Sequence, residues 1–149
     1  MRSQTAATSD EAAIRALVAR WTSALRAKDI GALMACYTPD ILVYDLAPPL
    51  LLRGADAYRE SWAQWFETFR GPVGLEVRDL EIRTSGDLAF GTSLNRIGGS
   101  RTNGEETDVW ARATAGYRKI DGRWLVAHEH VSVPFYMDGS LKAAVDLKP

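Results

Sequence analysis

The sequence is poor in cysteine, in histidine and in net charge. It has one cysteine and two histidines, and its 18 Lys and Arg residues nearly cancel its 19 Asp and Glu residues. The single cysteine, Cys36, excludes an internal disulfide framework and a zinc site built from several cysteines. Without a basic excess, no nucleic-acid partner is expected. No apolar run approaches the ~20 residues that span a bilayer, so no membrane partner is expected either.

The start of the chain also lacks the pattern of a signal peptide. Residues 1–8 are small and polar and have no apolar core, so we expect a disordered tail and a cytoplasmic protein. The 149 residues, 46% of them hydrophobic, suit one globular domain. We place that domain at residues 9–136 and a C-terminal extension at residues 137–149.

Helical periodicity dominates the first half of the chain, and strand-like alternation dominates the second half. Apolar spacing predicts helices at Asp10–Ala27, at Ile30–Tyr37 and from Gly54 onward. Period-two patterns predict strands at Ile41–Leu46, Val73–Thr84, Leu88–Ile97, Thr107–Ile120 and Arg123–Pro134. A slip in this alternation predicts a bulge near Asp79, and residues 98–106 are predicted to form a long loop. The order predicts an α+β domain with helices on one face of an antiparallel sheet.

The alternation in the last two strands predicts which side chains share a face. Both histidines, His128 and His130, fall on the face that also carries Trp124, and in the preceding strand Trp110 and Arg112 share a face. Such stripes predict a polar-lined concavity, although a half-exposed sheet would give the same mixture. The opposite face is small and apolar and is expected to form a homodimer interface; it carries Val109, Ala111, Ala113, Leu125, Ala127 and Val131.

One carboxylate ends an apolar run. Asp45 follows Ile41-Leu42-Val43-Tyr44 and precedes Leu46, so its side chain is expected to be partly desolvated. Desolvation raises the pKa of a carboxyl group and makes it a better proton acceptor near neutrality. The alternative is that Asp45 only caps the backbone of the following loop.

Several segments resemble the ketosteroid isomerase and SnoaL-like group of the NTF2-like superfamily. In the first half these are Arg20-Trp21, Lys28-Asp29-Ile30, Cys36-Tyr37 and Val43-Tyr44-Asp45. In the second half they are the hairpin from Tyr117 to Trp124 and the run His128-Glu129-His130-Val131-Ser132. The resemblance implies a cone-shaped, cystatin-like fold, in which a bent antiparallel sheet wraps three helices around a deep pocket. The same fold hosts isomerases, cyclases, dehydratases and association domains.

The resemblance also implies roles for particular residues. Asp45 stands where the isomerases and cyclases of the group keep their general base, and Trp21 stands where the isomerases have an oxyanion-hole tyrosine. A second acidic donor would fall near Ala113 or Ala115 and is absent there, which disfavours steroid isomerisation. Asp45 with His128 or His130 resembles the residue set of the dehydratase branch.

We therefore expect a small-molecule-binding protein, with catalysis by a cofactor-free isomerase, cyclase or dehydratase mechanism. The candidate catalytic residues are Asp45, His128, His130 and Arg112. The candidate ligand-binding residues are Trp21, Tyr37, Tyr44, Trp62, Trp65, Phe66, Trp110 and Ser132. Neither a metal nor a cofactor is expected, and the near-zero net charge favours a largely neutral organic ligand. The alternatives are a non-catalytic binding protein, a homo-oligomeric association domain, and structural roles for the histidines, for Arg112 and for the aromatic cluster.

Overall fold

A computed structural model describes residues 2–149, with side chains from residue 4 onward. Its helices are α1 (Arg2–Arg26), α2 (Ile30–Met34) and α3 (Ala55–Glu67). Its strands are β1 (Tyr37–Tyr44), β2 (Leu52–Arg53), β3 (Gly74–Ser85), β4 (Leu88–Ser100), β5 (Glu106–Ile120) and β6 (Arg123–Ser132). They form one sheet in the order β2-β1-β6-β5-β4-β3, in which only β1 and β6 pair in parallel. The predicted α+β fold is confirmed.

The core lies between the helices and the concave face of the bent sheet. It joins Leu17 and Leu25 of α1 to Leu75 of β3 and Val126 of β6, all of them at most 5% exposed. Asp10 ties α1 to the β5–β6 hairpin, because its Oδ1 accepts from Trp124 Nε1 and from Lys119 Nζ, each at 3.0 Å. No helix in residues 2–149 is long and apolar enough to cross a membrane.

The helices differ from the sequence expectation at their ends. Helix α1 begins at Arg2 instead of near Asp10 and so runs through the segment expected as a tail; Met1 lies outside the described residues. Helix α2 starts as expected, because Asp29 caps it by accepting from the Ala32 amide at 3.0 Å. It ends at Met34, and Tyr37, which was predicted to be helical, opens β1.

The predicted bulge in β3 is confirmed, and the predicted long loop is shorter than expected. Asp79 has a positive φ of 55°, where the pairing of β3 with β4 shifts register between Arg78 and Glu81. Strands β4 and β5 continue pairing as far as Ser100 and Glu106, which leaves only residues 101–105 as a loop. Residues 98–106 are polar and contain glycines, so their composition did not indicate that the pairing of β4 with β5 extends this far.

A bulge that the sequence analysis missed reverses the faces of β6. Gly116 pairs with His128 and Tyr117 pairs with Val126, so Ala127 is the extra residue on β6. Because strand side chains alternate, one extra residue moves every later side chain to the opposite face. Trp124, Val126 and Glu129 therefore all face the helices. The prediction that both histidines lie on the same face as Trp124 is wrong, because both follow the bulge.

The faces of β5 are also reversed relative to the prediction. Ala115 pairs with the buried Glu129 and Ala113 with Val131, so these alanines face the interior. Trp110 and Arg112 consequently lie on the outer face. Four of the residues assigned to an outer dimer interface are interior residues: Val109, Ala111, Ala113 and Val131.

Homodimerisation through the outer sheet face stays a prediction, now carried by different residues. The exposed outer face of β4 and β5 presents Phe90, which is 51% exposed, and the partly exposed Trp110 beside Arg112. Aromatic and arginine side chains are enriched in protein interfaces. We expect sedimentation velocity at micromolar concentration to show a dimer that Trp110→Glu dissociates. A monomeric wild-type protein would contradict this expectation.

The chain after β6 folds back on the domain. Phe135 pairs with Ala143 in an isolated bridge, and the Ala144 amide donates to the Pro134 carbonyl at 2.7 Å. Ala144 is only 2% exposed. This contact places Ala143 and Val145 along the rim of the interior cavity.

Candidate active site

The concave face of the sheet and helices α1 and α3 enclose a cavity of about 610 Å³. This volume falls within the ~300–1,000 Å³ of typical small-molecule sites. Its walls are mainly apolar and include Trp21, Leu25, Trp62, Trp65, Leu75, Ile97, Val109 and Val131. Among them stand two carboxyl groups, Asp45 and Glu129, and one guanidinium group, Arg101.

Glu129 is the buried carboxyl group of this cavity. It is 7% exposed, and the hydroxyl group of Tyr58 donates to its Oε2 at 2.5 Å. Burial raises the pKa of Glu129 to about 7, while hydrogen bonds from Tyr58 and Tyr37 partly oppose the rise. Tyr37 in turn accepts from Trp21 Nε1 at 2.7 Å. Near neutral pH, Glu129 is thus present in both its protonated and its ionised forms.

Asp45 lies directly after β1 and lines the same cavity. Burial raises its pKa, and the Leu46 amide opposes the rise by donating to Oδ1 at 2.7 Å. Both interpretations of this residue thus apply, since it is partly desolvated and also binds the loop backbone. The charge of Asp45 helps to raise the pKa of Glu129. Two like charges beside one cavity favour a state in which only one carboxyl group is ionised.

The predicted aromatic residues divide between cavity wall and core. Trp21, Trp62 and Trp65 line the cavity, as expected. Phe66 is 6% exposed and packs behind them, with its ring centroid 5.5 Å from that of Trp62. Tyr37 reaches the site through its bond to Trp21 and its contact with Glu129.

The indole N–H of Trp62 is buried without a hydrogen-bond partner in the described part of the chain. An unsatisfied buried donor costs free energy, so this N–H group weakens the packing of the aromatic wall.

Of the predicted site residues, Tyr37 and Phe66 lie behind the cavity wall, and six more lie away from it: Tyr44, Trp110, Arg112, His128, His130 and Ser132. Arg112 Nε donates to Ser132 Oγ at 3.2 Å instead of reaching the interior. Trp110 lies beside the guanidinium group of Arg78, 5.8 Å from its ring centroid. The Ala127 bulge explains the placement of His128, His130 and Ser132, and the parity of β5 explains that of Trp110 and Arg112.

The two histidines pack on Tyr44 at the outer surface. Their ring centroids lie 5.1 Å (His128) and 5.3 Å (His130) from that of Tyr44, and His128 Nδ1 is 2.8 Å from the Leu42 carbonyl oxygen. His130 borders a shallow surface depression that Asp45 also touches. The described residues contain no cluster of three or more His, Cys, Asp or Glu side chains that could hold a metal ion.

Glu129, Tyr58 and Arg101 were not predicted as site residues from the sequence. By simple alternation Glu129 falls on the same apolar face as Val131, and a single acid within such a stripe is the pattern that could have revealed it. The strand register also places Glu129 close to the expected position of the acidic donor, because Glu129 pairs with Ala115. The carboxyl group that β5 lacks at Ala113 and Ala115 thus stands on the adjacent strand.

Tyr58→Phe tests the hydrogen bond to Glu129. Removing the donor should raise the pKa of Glu129 above about 7 and lower the free energy of unfolding at pH 8 by about 1–3 kcal/mol. Urea unfolding and carboxyl NMR titration measure the two effects. Tyr136→Phe is the matched control, since Tyr136 makes a similar bond to Asp146 at 2.6 Å on the surface. If the free energy of unfolding falls equally in the two variants, the buried hydrogen bond to Glu129 stabilises the protein no more than a surface hydrogen bond does.

The family model of the SnoaL-like domain matches residues 14–136. An NTF2-like protein of unknown function from Pseudomonas putida KT2440 is 39% identical, with 95% of this chain and 98% of that chain covered and a TM-score of 0.87. No curated protein matches the sequence.

More distant structures share the fold. A Novosphingobium aromaticivorans protein provisionally named a scytalone dehydratase is 20% identical, covering 97% of this chain and 95% of its own, with a TM-score of 0.80. A Streptomyces avermitilis protein of the NTF2-like family, provisionally named a dehydratase, is 16% identical, covering 84% of this chain and 96% of its own, with a TM-score of 0.75. At these identities the likeness shows the fold alone.

Proposed function

This chain belongs to the SnoaL-like domain family, and from that premise we propose that it binds a small, oxygenated, largely apolar molecule and catalyses a cofactor-free proton transfer on it. The observation that carries the proposal is the placement of Asp45 and Glu129 beside one apolar cavity. Their environments favour different protonation states, which is the arrangement that assigns a base and an acid.

Asp45 is the general base of the proposed reaction. Its carboxylate removes a proton from the carbon next to a ligand carbonyl group, and the C–H electron pair becomes the C=C bond of an enolate. Its raised pKa makes it a stronger base than an exposed aspartate. The proton then returns from Asp45 to another carbon; alternatively, the enolate forms a C=C bond by expelling a β-hydroxyl group, which takes the proton from Asp45 and leaves as water. Isomerisation, cyclisation and dehydration all begin with this step.

Glu129 is the proposed acid. In its protonated form it donates to the ligand oxygen on which negative charge develops, while Tyr58 holds its other oxygen atom. Trp21 does not serve this purpose, because its N–H is bound to Tyr37. Glu129 thereby supplies, from β6, the acidic donor that the resemblance placed near Ala115.

Two solved structures of the same fold carry provisional dehydratase names, and elimination of water from a hydroxy carbonyl compound uses the same enolate. The proposed mechanism does not use His128, His130 or Arg112, because their side chains lie on the outer face of the sheet. The catalytic set therefore becomes Asp45 with Glu129.

Hydrogen–deuterium exchange tests the proposal without knowledge of the natural substrate. The probe is 2-tetralone, an aromatic ketone with acidic α-protons, and ¹H NMR in D₂O follows their loss. We expect the protein to accelerate exchange well beyond buffer and beyond an equal concentration of a non-homologous protein. Binding of 2-tetralone without faster exchange would favour the non-catalytic binding protein. The absence of both binding and exchange would contradict the proposal and would favour an association domain.

A further inference from the structure

Arg101 stands in the wall of the cavity without an acidic partner. It is partly buried, and no ion pair joins it to a carboxylate among residues 4–149. The other arginines nearby are engaged differently: Arg26 donates to the Leu75 carbonyl group, and Arg70 donates to the Thr102 carbonyl group. An unpaired guanidinium group in an apolar wall is the feature that calls for a counter-ion.

The side chain of Arg101 is held firmly in place. Its guanidinium carbon lies 4.0 Å from the centroid of the Phe69 ring, and its Nε donates to Thr107 Oγ1 at 2.7 Å. One Nη1 hydrogen is donated to Thr68 Oγ1. Arginine has five N–H donors, so Nη2 and one Nη1 hydrogen stay without an acceptor among residues 4–149.

The backbone around Arg101 is equally well fixed. Arg101 bridges to Phe69, and the Arg70 and Thr102 amides donate to the Ser100 and Thr68 carbonyl groups at 2.8 and 2.9 Å. Gly99 allows the Phe69 ring to sit this close, because a Cβ atom there would lie 3.1 Å from the ring. A preorganised guanidinium group loses little entropy when it binds a planar anion.

The basic and acidic side chains of the cavity lie towards different ends of it. Arg101 bonds to Thr107 at the start of β5, whereas Glu129 pairs with Ala115 further along the same strand. At ~3.3 Å per residue, these strand positions are up to about 26 Å apart, and less where the sheet bends. A ligand carboxylate is repelled from the end that holds Asp45 and Glu129 and attracted to the end that holds Arg101.

We propose that the cavity takes an elongated apolar molecule with a terminal carboxylate, which Arg101 binds while the carbonyl end faces Asp45 and Glu129. The carboxylate forms paired hydrogen bonds with the guanidinium group, as planar anions commonly do. This inference rests on the proposed function and narrows its substrate class. It also replaces the expectation of a largely neutral ligand with that of a molecule charged at one end.

Decanoate and 1-decanol form a matched pair of probes that differ in the anionic group. Quenching of tryptophan fluorescence reports binding, because three tryptophans line the cavity. We expect decanoate to bind at least tenfold more tightly than 1-decanol to the wild-type protein. Arg101→Gln should abolish this advantage, because it weakens decanoate binding far more than 1-decanol binding. Arg70→Gln is the matched control and should keep the wild-type preference, because Arg70 is exposed and does not line the cavity.

Every result of these binding measurements either supports or contradicts the role of Arg101. Equal affinities for the two probes in the wild-type protein, or an unchanged preference in Arg101→Gln, would overturn the role of Arg101. Either result would leave the proposed proton transfer standing if 2-tetralone exchange is catalysed. Absence of binding by both probes would overturn the inference as well. If Arg101→Gln does not fold, Arg101→Lys replaces it, and the inference then requires a reduced preference because lysine lacks the planar fork.

Discussion

Asp45→Asn is expected to slow the protein-catalysed α-proton exchange of 2-tetralone by about 10²- to 10⁴-fold, the usual contribution of a positioned general base. The amide cannot accept the proton, yet it keeps the size of the side chain and can still accept from the Leu46 amide at the end of β1. Binding of 2-tetralone should therefore change little. The measurement is the initial exchange rate by ¹H NMR at pH 7, with binding followed separately by tryptophan fluorescence.

Asp87→Asn is the matched control for this loss. Asp87 is an exposed carboxylate in the turn between β3 and β4, outside the cavity, so its replacement should leave the exchange rate unchanged. A rate in Asp45→Asn within a factor of two or so of wild type would show that another group removes the proton. The assignment of the general base would then be wrong, even if the cavity binds the probe.

Glu129→Gln is expected to change how the stability of the protein depends on pH. The pKa of Glu129 is about 7 in the folded protein and 4.5 in its unperturbed state. Between these values the folded state binds more protons than the unfolded state, so the free energy of unfolding falls as pH rises. A difference of this size corresponds to about 3 kcal/mol, lost progressively between about pH 4.5 and 7. Glutamine does not titrate, so the variant lacks this loss.

Urea unfolding at a series of pH values from 4 to 8 measures the effect. The variant should gain about 3 kcal/mol relative to wild type between the two ends of this range. Glu76→Gln removes an exposed carboxylate from β3 and should follow the wild-type curve. Parallel curves for Glu129→Gln and wild type would mean that Glu129 titrates normally in the folded protein.

Local patterns predicted much of this fold because they depend on neighbouring residues alone. Helical spacing located the centre of α1, and the parity slip located the bulge at Asp79. The boundary between α2 and β1 was not predictable in the same way. Tyr37 becomes a strand residue because β1 gains a partner in β6, which is distant in the sequence.

The candidate site shows the same division more sharply. Asp45 could be predicted, because the apolar residues next to it in the sequence are enough to indicate that its carboxylate is partly desolvated. The orientation of Glu129 could not, because it depends on one extra residue, Ala127, opposite Gly116 and Tyr117. Nothing in the composition of that strand marks the bulge. Without the bulge, the alternation predicts that the two histidines, and not Glu129, face the cavity. Arg101 was hidden in a segment interpreted as a loop.

The most direct test of this account is the titration of Glu129 itself, since the whole proposal depends on a buried carboxyl group that shares the cavity with Asp45. Carboxyl ¹³C NMR between pH 4 and 9, with the resonance assigned by its absence in Glu129→Gln, gives the midpoint. The account predicts a midpoint of about 7. A midpoint near the unperturbed 4.5 would contradict it, because Glu129 would then be fully ionised at neutral pH and unable to act as the acid.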